Sequence, residues 1–115
     1  RVDIHGSNNT FLGSQRSNNS GHEHSNVTYI YVNDNDVYTR QESNQDKTLN
    51  LTVNNSGNDV DMIQKGSATH SATVTLGGSY STDLDMLQQG TTAQTYSLTQ
   101  TCNTVGGCTV SVTQD

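Results

Sequence analysis

Four histidines, eleven carboxylates, two cysteines and a surplus of amides and hydroxyls are the groups through which this 115-residue chain could do chemistry. His22, Glu23 and His24, with His5, have the donor types of a metal site. Their spacing lacks a third fixed ligand, so the pair on its polar arc reads as solvated and no metal or other cofactor is expected. Asn33-Asp34-Asn35-Asp36 has the carboxylate density of a calcium loop, but lacks the Gly and the terminal Glu of that motif and reads as a turn. No Ser/His/Asp or Cys/His set is placed by any regular spacing, and the chain reads as a non-enzyme. Cys102 and Cys108 fit an oxidising compartment and an expected disulfide; half a metal site is the alternative, with no second pair to support it. Sequons at Asn8, Asn18, Asn26, Asn50 and Asn54 are what chance supplies in so much Asn, Ser and Thr.

The amides carry more information. Gln15, Gln41, Gln64, Gln88 and Gln114 lie 26, 23, 24 and 26 residues apart. Each closes an alternating stretch: Phe11 and Gly13, Val37 and Thr39, Val60 and Met62, Leu84 and Met86, then Val110 and Val112. Period-2 alternation is the signature of a half-buried strand. A second set, Leu49, Leu51 and Val53, then Ala72, Val74 and Leu76, then Tyr96, Leu98 and Gln100, alternates after each turn. Repeats of this length, each two strands and an arc, predict an all-β solenoid of about four to five turns. The expected division is a single domain, 1–115, with a half repeat at 1–8, repeats starting near 9, 35, 58 and 82, and a terminal half repeat at 108–115. No segment sustains a helical period.

Composition bounds the rest. Only 29% of residues are apolar, against roughly 45–50% in ordinary globular domains, so burial alone cannot hold the fold. Stacked turns put equivalent residues about 4.8 Å apart, and glutamine amides at that distance can bond to one another. By the same register Asp36, Asp59 and Asp83 form one outward row, and Asp61 and Asp85 another. Thr73 and Thr75, with Ser97 and Thr99, form an outward hydroxyl row, which an ice-binding solenoid would use and which ordinary strand propensity also supplies. Five basic residues in a chain of net charge −6 argue against nucleic acid, and no apolar run is long enough for membrane insertion. A mature secreted chain is expected.

The pattern resembles the curlin repeat of bacterial curli, the extracellular functional amyloid, in a diverged form. Gln64 with Gly66, and Gln88 with Gly90, match its Gln-x-Gly; Val60 and Met62, and Leu84 and Met86, match the apolar residues before it. Its Ser position holds Asn9, Asn35, Asn58, Thr82 and Cys108. The Gly-Asn of the arc is absent, and the first two repeats lack the Gly after Gln. The resemblance implies a structural subunit that polymerises on the cell surface into biofilm matrix and serves adhesion. Its implied partners are other copies of itself, with a nucleator subunit and secretion chaperones.

Spacing at the ends suggests how copies would meet. Val2 and Ile4 precede Asn9 as Leu51 and Val53 precede Asn58, so the first strand counts as a second strand, while Val110, Val112 and Gln114 count as a first. Val2, Ile4, Val110 and Val112 are therefore the candidate subunit junction, stacking head to tail. The alternatives are a monomeric solenoid binding a ligand or ice through its Thr face, and a β-sandwich pilin or adhesin subunit assembled by strand donation.

Overall fold

The computed structural model describes residues 1–17 and 20–115. Ten strands follow one another: β1 (Val2–Ile4), β2 (Thr10–Arg16), β3 (His24–Ile30), β4 (Asp36–Glu42), β5 (Lys47–Val53), β6 (Asp59–Gln64), β7 (His70–Gly78), β8 (Thr82–Gln88), β9 (Gln94–Cys102) and β10 (Cys108–Gln114). The even strands form one sheet in the order β10-β8-β6-β4-β2, and the odd strands the other, β1-β3-β5-β7-β9. Every pairing is parallel, so the chain is a β-solenoid of about five turns. Among the described residues there is no helix. The Cα envelope is 43 × 25 × 15 Å. Its middle dimension suits five strands stacked at about 4.8 Å.

Register follows the expected rows. Phe11, Val37, Val60, Leu84 and Val110 pair in sequence along the even sheet, and Gly13, Thr39, Met62, Met86 and Val112 do the same. Val2, Thr28, Leu51, Val74 and Leu98 align along the odd sheet, as do Ile4, Ile30, Val53, Leu76 and Gln100. The first strand is thus in register with the second strands of later turns. The core runs through the middle turns, where Val37, Leu49, Leu51, Val60, Met62 and Leu84 are fully buried. It becomes polar towards β3, where Asn26 Nδ2 donates to Thr39 Oγ1 at 2.8 Å and Thr28 Oγ1 donates to Asn26 Oδ1 at 2.7 Å.

Some boundaries differ from those the sequence suggests. The Val-, Ile- and Tyr-rich stretch 26–32 reads as a strand from its composition, but β3 runs from His24 to Ile30; the arc that the cysteines bracket reads as 101–107, but β9 continues to Cys102. In both places backbone pairing to the neighbouring turn, not side-chain pattern, sets the limit. The arcs depend on close backbone approach. Gly66 has φ +92°, and a Cβ there would lie 2.5 Å from the Gly90 carbonyl oxygen. The Gly of Gln-x-Gly is therefore where one arc rests on the next.

Candidate functional site

Alternation turns every glutamine of the repeat inward at the end of an even strand, and parallel register stacks them. Gln15 Nε2 donates to Gln41 Oε1 at 2.6 Å, Gln41 to Gln64 at 2.9 Å, Gln64 to Gln88 at 2.8 Å, and Gln88 to Gln114 at 2.7 Å. The second amide hydrogen crosses the interior. Gln41, Gln64 and Gln88 donate to the carbonyls of Ser25, Thr48 and Ser71 at 3.0, 2.9 and 3.2 Å. The amides thus link turn to turn and sheet to sheet, and satisfy polar groups whose burial would otherwise cost about 1–3 kcal/mol each. The ladder has one sense: each amide donates towards higher residue numbers.

A second ladder stands at the opposite end of the even strands. Asn9 Oδ1 accepts from the Asn35 amide at 3.0 Å, Asn35 Oδ1 from the Asn58 amide at 3.0 Å, and Asn58 Oδ1 from the Thr82 amide at 2.7 Å. Their spacing follows the glutamines turn for turn, but strand-entry Asn also reads as ordinary turn chemistry, which hid the ladder. Cys108 takes the next position and is disulfide-bonded to Cys102, with Cα atoms 5.8 Å apart, tying β9 to β10 across the arc.

The row that begins β3, β5, β7 and β9 was not foreseen. His24, Lys47, His70 and Gln94 are successive partners. Lys47 and His70 are both fully buried. Lys47 Nζ donates to Ser43 Oγ at 2.8 Å, to the Gly66 carbonyl at 3.3 Å, and to the Ala68 carbonyl. Burial lowers its pKa, with Asp46 opposing. Burial and the neighbouring Lys47 lower that of His70, with the Lys65 carbonyl opposing. The available signal was phase: Lys47 falls two residues before Leu49, and His70 two before Ala72, on the inward side.

The outer faces differ. On the even sheet Asp36, Asp59 and Asp83 are successive partners, as are Asp61 and Asp85. Burial, with Asp59, Asp85, Asp36 and Asp83 around it, raises the Asp61 pKa. On the odd sheet β5, β7 and β9 present Thr48, Asn50, Thr52, Thr73, Thr75, Ser97 and Thr99, with no charged side chain among their outward positions.

The histidines considered for metal binding do not converge. His5 Nε2 lies 3.0 Å from Asp3, His22 Nδ1 lies 3.2 Å from Asp46, and His24 Nε2 lies 2.9 Å from the Arg16 carbonyl oxygen. The Glu23 amide holds the Asp46 carboxyl below its usual range, with His22 and His24 adding to this and burial opposing. Among the described residues no group of three His, Cys, Asp or Glu could hold an ion. Asn33–Asp36 is a turn with Asp34 at φ 58°. Of the sequons, Asn8, Asn50 and Asn54 are exposed, Asn26 is half-buried, and Asn18 lies outside the described residues.

At the ends of the stack Val2 and Ile4 are 44% and 40% exposed, and Val110 and Val112 are half-buried. Comparison with protein-family models, curated proteins and solved structures finds no match for this chain. The fold itself defines the class, a β-solenoid repeat protein stapled by one disulfide, which fits an oxidising environment.

Proposed function

We propose that this chain is a structural subunit of an extracellular, curli-like amyloid fibre that contributes to biofilm matrix and adhesion and polymerises by strand stacking. The observation that carries the reading is the unbroken glutamine ladder through parallel, in-register turns. A turn supplied by another copy would meet the same rows as a turn supplied by the same chain. The ladder's sense favours head-to-tail contact, since it presents Gln15 Oε1 as acceptor at one end and Gln114 Nε2 as donor at the other. Val2 and Ile4 of one copy would then cover the interior beside Val110 and Val112 of the next. Such a heterologous contact does not close, so it propagates.

Fibre diffraction of concentrated protein tests the reading: a meridional spacing of about 4.8 Å is expected. Protein that stays monomeric at high concentration overturns it. That result would favour the second reading, a monomeric solenoid binding a ligand or ice through its odd-sheet face, which rests on the uncharged hydroxyl lattice of β5, β7 and β9.

A further inference from the structure

Among the described residues the unpartnered buried polar atoms gather mostly along one line, with Thr82 Oγ1 the exception. Of the five buried side-chain nitrogen and oxygen atoms without a hydrogen-bond partner among the described residues, four belong to the row that begins β3, β5, β7 and β9: His24 Nδ1, both ring nitrogens of His70, and Gln94 Oε1. The backbone is looser on the same line. The amides of Lys47, His70 and Gln94 reach the Glu23, Asp46 and Thr69 carbonyls at 3.3 Å each. At the other end of the odd strands the His5, Tyr31 and Asn54 amides reach the Ile30, Val53 and Leu76 carbonyls at 2.7, 3.0 and 2.9 Å.

Into this line the fold puts a hydrogen-bonded lysine ammonium beside an imidazole. Lys47 and His70 are direct register partners, and neither side chain reaches water. Among the described residues, the groups packed around His70 offer no free counter-charge. β5 brings Lys47, β9 brings the uncharged Gln94, and the facing ends of β6 and β8 bring the uncharged Gln64 and Gln88. The arc before β7 brings the Lys65 carbonyl, a dipole that favours the protonated ring but carries no net charge, while the Lys65 side chain is exposed. Asp46, whose carbonyl accepts from the His70 amide, has its carboxylate engaged by the Glu23 amide at 2.9 Å and by His22 at 3.2 Å. His24 stands beyond Lys47, two strands from His70.

We propose that the His24–Lys47–His70–Gln94 row is an acid-sensitive seam: in mildly acidic solution His70 takes up a proton beside the Lys47 ammonium, and the contact between β5 and β7 opens from its arc end. Neutral imidazole can be buried here without a partner at moderate cost, but imidazolium one strand from an ammonium cannot. The sign of the linkage follows. A histidine whose folded pKa lies below its unfolded value binds its proton preferentially in the unfolded or opened state. Its stabilising effect is complete above the ordinary histidine value of 6.5 and is lost as pH falls below it. The seam belongs to the single chain and does not depend on polymerisation.

Urea unfolding of the intact protein between pH 8 and pH 5, with His70→Gln beside the wild type, tests this. Glutamine already occupies the equivalent position at Gln94. The wild-type folding equilibrium constant should gain a fall approaching tenfold per pH unit below about pH 6.5 that His70→Gln lacks. Identical pH dependence in the two proteins overturns the proposal. Should His70→Gln not fold, the wild-type imidazole resonances decide. A His70 signal that stays neutral until the β5–β7 amides near Lys47 and His70 lose exchange protection supports the seam. A His70 signal that titrates reversibly near pH 6.5 in the folded protein, with those amides still protected, overturns it.

Discussion

Gln64 and His70 stand on facing walls of the same interior, both fully buried and both stacked on an equivalent position in the next turn. Yet one row is hydrogen-bonded from end to end, and the other holds four of the five unpartnered buried atoms among the described residues. The difference is chemical. A primary amide donates and accepts, so a column of glutamines satisfies itself at any length. An ammonium only donates, and Lys47 can be buried because Ser43 Oγ and the arc carbonyls at Gly66 and Ala68 supply acceptors. Imidazole beside it has one donor and one acceptor, but among the described residues neither ring nitrogen of His70 has a partner at hydrogen-bond geometry. Repetition therefore rewards side chains of both senses and penalises those of one, and the outward Asp rows show the same rule in milder form, where water screens the repulsion.

Breaking the amide row should have the largest effect. Gln64→Leu removes the acceptor of Gln41 Nε2 and the donor to Gln88 Oε1 and the Thr48 carbonyl. A loss of about 3 kcal/mol is expected in urea unfolding at neutral pH. A loss under about 1 kcal/mol would mean that the ladder is replaceable by apolar packing.

Lys47→Met sharpens the comparison from the other side. It keeps the stem's volume but strands the Gly66 and Ala68 carbonyls, for an expected loss of about 2 kcal/mol at neutral pH. It should also lessen the pH dependence attributed to His70 by the part due to the neighbouring cation, leaving the larger part that burial causes. No change in that dependence would leave burial as its sole cause.

The disulfide takes over where the Asn row reaches Cys108. Its sequence separation of 6 closes a short loop, so reduction should cost about 2 kcal/mol and act chiefly on β10. Non-reduced protein should show no free thiol on titration, and hydrogen exchange after reduction should quicken in β10 before β6.

The smallest effect belongs to the exposed carboxylates. The Asp61 pKa is raised, so its folded form binds a proton more readily than the unfolded chain, and stability should rise as pH falls through the folded value. Asp61→Asn should gain under about 0.5 kcal/mol at low salt and nothing at high salt. Fibre growth, followed by light scattering, should quicken with acid or salt in the wild type and lose part of that response in the variant. The Asp and His70 effects oppose each other in sign, and the double variant Asp61→Asn, His70→Gln separates them.

The spacing of Gln15, Gln41, Gln64, Gln88 and Gln114 contained the period, the strand count and nearly every register pair. This was legible because in a parallel stack each position neighbours only its equivalents, so repeat arithmetic is contact arithmetic. Even Val2 and Ile4, within a strand of three residues, aligned with Thr28 and Ile30 by counting alone. What counting could not supply were choices made by atoms converging from different turns. The common sense of the glutamine amides depends on odd-strand carbonyls across the interior. Burial of Lys47 depends on carbonyls of the next arc, about twenty residues away. A lysine in the inward phase, taken alone, reads as a solvated charge, because desolvation opposes burial unless acceptors are already in place. Those acceptors exist only after the turns have stacked, which is why the tertiary structure, and not the sequence pattern, decided where the seam lies.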